Sequence, residues 1–219
     1  ATVEPVLQSR EDVGGIPKET ELHYYKDRGD LIKTGDFSLN VANPITAKLL
    51  MEAANLDLLT LSYDLNISQV LDLLQAAPPA WFELTLHQHM PLFHMQHCVF
   101  CAFLSSGTTY KDCGRPCENH VVHLRDRVGL LHRLQADVGC RNTLFNGKAQ
   151  TGARYYEALR ATGLARFRVE LLDESAAQAA VTIRAYQDLM LGLLTAQALL
   201  EHVQALEKLG VTEGSLASL

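Results

Sequence analysis

WFELTLHQHMPLFHMQHCVFCAFL, Trp81–Leu104, is the stretch whose reading decides the fold. Its opening, Trp81–His87 (WFELTLH), reads as a β-strand from its alternation of apolar and polar side chains. The strand gives way at once to His89, Met90-Pro91, His94, His97 and Cys98. In parallel α/β folds, chemistry sits at the carboxyl ends of the strands. The histidine- and cysteine-rich segment therefore leaves from the functional end of the sheet. It continues as Cys98-x-x-Cys101, Cys113-x-x-x-Cys117 and Cys140, which are all five cysteines of the 219-residue chain. Seven of the nine histidines fall between His87 and His132.

Moving outward, the same rhythm recurs on both sides. Asp36–Val41 (DFSLNV) and Leu58–Ser62 (LLTLS) read as strands. Pro44 opens a helix to about Ala54, and Asn66 or Ser68 caps another over Gln69–Ala76. The strand starts at Asp36, Leu58 and Trp81 are spaced by 22 and 23 residues, one βα unit each. After the cysteines, Thr143–Phe145 and Phe167–Leu172 read as strands. Thr151–Gly163, Ser175–Leu191 and Thr195–Leu209 read as helices. A complete (β/α)₈ barrel takes roughly 250 residues. The expectation is an α/β fold: a partial TIM-barrel-like (βα)n domain, the C-terminal half of a barrel, with a cysteine-rich insertion. The expected boundaries are an irregular leader over 1–34, the βα domain over 35–214 with its metal loop over 87–146, and a tail over 215–219.

Apolar residues make up 47% and charged residues 20% of the chain, a globular composition. A net charge of −6 argues against a whole-surface nucleic-acid binder while leaving room for a local basic channel. No apolar run reaches the roughly 18 residues of a membrane helix, so no membrane partner is expected. Five clustered cysteines are odd in number and unlike a disulfide framework. Free thiols imply a reducing, intracellular and soluble setting.

Four thiolates suit tetrahedral zinc or a [4Fe–4S] cluster, and spacing leaves both open. Any four of Cys98, Cys101, Cys113, Cys117 and Cys140 form the candidate metal set. His87 is a candidate substrate contact or proton donor, and His94 a group at the sulfurs or substrate. Glu83, four residues before His87, is placed on the same strand face and is the third catalytic candidate. Arg125 and Arg127 in LRDRVG (124–129) read either as a solvated hairpin or as an anion-facing rim. Arg141, Asn142 and Asn146 are the other candidate substrate-binding residues. No dinucleotide, Walker, H-E-x-x-H or nucleophile-elbow motif is present.

Several strings taken together carry a resemblance: GDFSLNVANP (35–44), Glu83-x-x-x-His87, HQHMPLFHMQHCVFCAF (87–103), CGRPCENH (113–120), LRDRVG (124–129) and CRNTLFNG (140–147). They resemble the collagenase-like peptidase family U-thirty-two (U32), in its cyanobacterial and plastid-type branch. The resemblance implies a TIM-barrel-like domain with a [4Fe–4S] cluster, and zinc stays as the alternative metal. It implies an oxygen-independent hydroxylase acting on an RNA base or an aromatic small molecule. Cys98, Cys113, Cys117 and Cys140 match the family's cysteines, which leaves Cys101 as an alternate ligand or a redox-active neighbour. The family's barrel extends N-terminal of Gly35, which implies a missing N-terminal half-barrel or a partner chain. The compartment implied is cytoplasm or plastid stroma. The alternatives are a U32 peptidase and a non-catalytic, metal-stabilised binding module.

Overall fold

A computed structural model of the chain describes residues 32–206 and 211–217, so the leader expected over 1–34 lies almost wholly outside the described residues. Helices begin where short polar side chains can cap them. Asn43 accepts the Thr46 N–H at 2.9 Å ahead of α1 (Pro44–Ala53). Asn66 and Gln69 bond reciprocally at the start of α2 (Ile67–Ala76). Ser175 and Gln178 do the same for α5 (Ala176–Met190). The remaining helices are α3 (Val99–Leu104), α4 (Tyr156–Ala161) and α6 (Ala196–Leu206).

The strands are β1 (Thr34–Gly35), β2 (Leu58–Thr60), β3 (Phe82–Met95), β4 (Val122–Arg125), β5 (Leu131–Asp137), β6 (Arg141–Thr151), β7 (Phe167–Val169) and β8 (Val211–Thr212). Hydrogen bonding orders them β1-β2-β3-β6-β5-β4, with β7 on β3 and β8 on β6; among the described residues this eight-stranded sheet is not closed into a barrel. The molecule is thus mixed α/β. Two compact units share it, one holding Ile32–Met90 with Lys148–Leu219, the other Pro91–Gly147.

In the first unit β1, β2, β3 and β7 pair in parallel, the arrangement the βα rhythm leads one to expect for β2 and β3. Phe82, Leu84 and Leu86 of β3 are at most 4% exposed and join Leu59, Val70, Leu73 and Leu159 in the main core. Two expectations fail here. Asp36–Val41 is a capped turn rather than a strand: Asp36 accepts the Phe37 N–H at 2.8 Å, Phe37–Leu39 makes one 3₁₀ turn, and Asn40 takes a left-handed φ of 51°. Its apolar positions serve other ends, Phe37 stacking on Tyr63 and Val41 bridging to Leu61. The predicted helix over Thr151–Gly163 begins only at Tyr156, because β6 runs through Thr151 and a 3₁₀ turn covers Ala153–Tyr155.

In the second unit the expected metal loop is largely β structure. β4, β5 and β6 form an antiparallel meander, and α3 follows the end of β3. Phe100, Leu134 and Leu144 are its fully buried hydrophobic core, with Met95, Val99, Val122, Cys98 and Cys117 packed around them. Among the described residues no helix is long and apolar enough to cross a membrane.

Candidate metal centre and buried histidine site

The thiols are placed by two tight backbone devices within Pro91–Gly147. Cys98 is the N-cap of α3, and its sulfur accepts the Cys101 N–H at 3.4 Å. Cys113 repeats the motif, accepting the Arg115 N–H at 3.4 Å across a turn in which Gly114 and Arg115 have φ of 66° and 50°. Cys117 follows in a 3₁₀ turn, Pro116–Glu118, that packs on α3. The chain between the pairs is folded back by Asp112, whose carboxylate accepts the N–H groups of Thr108 and Thr109. Those bonds, the Thr109 ones first, hold the Asp112 carboxyl below its ordinary range. Gly107 lies so close to Asp112 and Cys113 that a Cβ there would meet Cys113 Cα at 2.7 Å.

This folding brings four sulfurs together. Burial pushes the Cys101 thiol up, and the Cys113 and Cys98 sulfurs add to the effect. Burial also raises Cys117, again with Cys98 and Cys113 acting on it. Among the described residues no three His, Cys, Asp or Glu side chains are drawn tightly enough to enclose a metal ion. The four sulfurs are neighbours, with amide N–H donors already aimed at two of them. Such donors accompany metal-bound thiolates, whose charge they offset. The donor set is thus four thiols acting on one another, two of them with amide N–H partners, and not a closed ligand cage. Cys140 stands apart: exposed, at φ 60° in the β5–β6 turn, and absent from the groups acting on Cys101 or Cys117. The grouped set is thus Cys98, Cys101, Cys113 and Cys117, whereas the family resemblance implies Cys140 in place of Cys101.

Asn142 lies directly behind Cys98. It is 0% exposed, its Oδ1 accepts the Val99 N–H at 2.6 Å, and its Nδ2 donates to Arg141 O at 2.7 Å and lies 4.0 Å from the Cys98 sulfur. Arg141 is exposed and donates from Nε to Val138 O. Asn146 is half-buried on the same strand. Arg125 and Arg127 point outward around Asp126, which accepts the Val128 and Leu130 N–H groups and so shapes the hairpin. Asp126 also meets His132 Nε2 at 3.4 Å, while His132 Nδ1 accepts the Gly147 N–H. His132 is thus a half-buried hairpin brace; Asp126…Gly129 is the sequence signal for the turn it braces. His94, exposed, contacts Thr143 Oγ1 through Nδ1 at 3.0 Å.

The other candidates belong to the Ile32–Met90 and Lys148–Leu219 unit. The parallel register pairs Thr85 with Arg168 but His87 with Val169, so β3 spends an extra residue at Leu86. A bulge of this kind re-aims every later side chain. It separates two residues that four-residue spacing puts on one face. Glu83 faces Thr60, which donates to it at 2.7 Å, and Arg168, at 3.4 Å. Arg168 also holds Asp36 at 2.7 Å and Glu170 at 3.2 Å. Burial pushes the Glu170 carboxyl up, while Tyr63, its hydrogen-bond donor, and Arg168 pull it down.

His87 turns instead to the helix side, where its Nδ1 lies 3.2 Å from the Tyr186 hydroxyl, itself 2.7 Å from Thr151 Oγ1. Its Nε2 is buried without a partner. Burial, with His89 nearby, lowers His87 to about 4, so the ring is neutral at pH 7. His89 lies 3.7 Å from Glu174. Burial would raise Glu174, but the His89 contact and backbone N–H donors outweigh it and bring the carboxyl to about 2. Nothing in the sequence pattern links Tyr186, Thr151 or Glu174 to His87. The chain matches no protein-family model, no curated protein and no solved structure.

Proposed function

We propose that Cys98, Cys101, Cys113 and Cys117 hold a [4Fe–4S] cluster in an oxygen-independent, hydroxylase-like protein of U32 type, acting on an RNA base or an aromatic small molecule in the cytoplasm or plastid stroma. The observation that carries the metal reading is the meeting of two cysteine pairs, each with a backbone N–H on its first sulfur. The hydroxylase reading and the reading of the open sheet as half of a TIM-like barrel rest on the family resemblance. A bound cluster supplies electron transfer or a coordination position for an oxygen-bearing substrate. Asn142 fixes Cys98 and the start of α3. Neutral His87, with Tyr186 and Thr151 behind it, can hold or relay a proton at Nε2.

One feature favours a second reading, a zinc-stabilised binding module. Pro91–Gly147 has three fully buried hydrophobic side chains, a core of the size that small metal-stapled units have. Anaerobic purification with iron, sulfide and zinc analysis decides between them. About four irons and four sulfides per chain, with a visible absorbance that bleaches on reduction, supports the first reading. One zinc without iron supports the second. Protein that is metal-free throughout overturns both, and peptide cleavage by such protein would return the peptidase alternative.

A further inference from the structure

Arg133 sits at the centre of β5, and two of its guanidinium nitrogens, Nε and Nη1, are buried with no hydrogen-bond partner. The residue as a whole is half-buried, and buried guanidinium N–H groups without an acceptor are uncommon in native structures. Its neighbours are set by register. Arg133 pairs with His123 of β4, and the adjacent pair Leu134↔Leu144 puts Phe145 beside it on β6. Because successive side chains alternate, the Leu134 side of the meander carries the thiol core and the Arg133 side is the opposite face. That face also carries Arg125, Gln135, Arg141 and Thr143. On these three strands Asp137 is its one acid, and it accepts the Val138 N–H.

Thr143, 6% exposed, is the diagonal neighbour of Arg133 across the β5–β6 pair. Its Oγ1 is 3.0 Å from His94 Nδ1. When that ring nitrogen donates, the threonine hydroxyl proton is free for another acceptor.

We propose that Arg133 anchors an oxyanion site on this face, taking the phosphate or carboxylate group of a small-molecule ligand, with Thr143 as a second donor. The guanidinium supplies charge-assisted hydrogen bonds, and Arg125, its diagonal neighbour on β4, raises the local anion concentration. The site is independent of the thiolate centre, which occupies the other face.

Isothermal titration of the full chain with sodium phosphate, and separately with sodium succinate, at ionic strength matched with sodium chloride, tests this. Saturable binding of phosphate identifies a phosphorylated ligand class, and saturable binding of succinate a carboxylate one. Arg133→Met should weaken binding at least about ten-fold, the loss of one charge-assisted bond. Without anion it should unfold no more easily than wild type, since two buried N–H donors without acceptors have been removed. Should Arg133→Met lose its wild-type circular dichroism, Thr143→Val decides, with an expected several-fold loss of affinity. Absence of saturable binding of both anions overturns the proposal. So does wild-type affinity in the folded variant, or an anion-free Arg133→Met markedly less stable than wild type.

Discussion

Asn142→Asp is the sharpest probe of the thiolate centre, because it changes charge and almost nothing else. The carboxylate keeps the acceptor for the Val99 N–H, now at 2.6 Å, and gains about 1 kcal/mol from its charge. It loses the donor to Arg141 O, a bond of similar worth. At a 0% exposed position the carboxylate also costs desolvation, so the metal-free protein should lose at least about 1–3 kcal/mol. With metal bound the loss is larger. The Cys98 sulfur lies 4.0 Å from the side-chain nitrogen, so the new charge faces a thiolate at that distance. At an effective dielectric near 20 the repulsion is about 4 kcal/mol, an upper bound of roughly a thousand-fold in affinity. Partners behind metal ligands commonly contribute about 10–100-fold. The expected loss is thus between about ten- and a thousand-fold, measured by chelator competition on zinc-loaded protein or by iron retention under anaerobic gel filtration. Wild-type metal affinity in this variant would refute the placement of Asn142 behind a metal ligand. Equal destabilisation with and without metal would refute it too.

Two further outcomes follow from burial. His87 is held down to about 4 from 6.5, so its neutral form belongs to the folded state. Its contribution is complete above pH 6.5 and is lost as pH falls from there toward 4, roughly 3 kcal/mol in all. His87→Gln should flatten the loss of urea midpoint between pH 7 and pH 4.5, and an unchanged slope would contradict the burial argument. Leu134→Ala removes a 0% exposed member of a three-residue core and should cost about 3–5 kcal/mol. A thiol reagent should then label Cys98 and Cys117 faster, and wild-type labelling rates would contradict the assignment of Leu134 to their support.

What the sequence makes legible is local. Pro44 opens α1 as expected, and of the two cap candidates Asn66 and Ser68 the structure uses Asn66; Asn43 and Ser175 cap their helices in the same way. Repeating βα spacing likewise announces β2 and β3, whereas the strand expected at Asp36–Val41 is a turn and β1 lies just before it. What stays hidden depends on contacts distant in sequence. The extra residue at Leu86 cannot be read from WFELTLH, since a bulge is defined by its partner strand, nor can the His87 contact to Tyr186, 99 residues away. The grouping of Cys101, rather than Cys140, with the Cys98 and Cys113 thiols is hidden similarly. It depends on Gly107 admitting the Asp112–Cys113 backbone and on left-handed conformations at Gly114 and Arg115 that turn the second pair toward the first. Cysteine spacing records none of this.

The same geometry argues that any bound metal acts on folding before it acts on substrate. Within Pro91–Gly147, Phe93, Phe103 and Tyr110 are 63%, 81% and 63% exposed, so much of the unit's aromatic surface contributes little to its core. The cysteines are free, and Cys101 and Cys117 have thiols pushed up by burial and by one another. Crowded sulfurs of this kind hold together better around a cation, which stabilises their thiolates and links α3 to the Cys113–Cys117 turn. Chelation should therefore loosen Pro91–Gly147 selectively. Hydrogen exchange of chelated protein should accelerate across 98–117 and β4–β6, while the emission of Trp81, the sole tryptophan and a member of the other unit, stays unchanged. Exchange in 98–117 that is indifferent to chelator would show that the four sulfurs carry no metal. The polar contacts of Asn142 and Asp112 would then join the Phe100 core as the support of the segment.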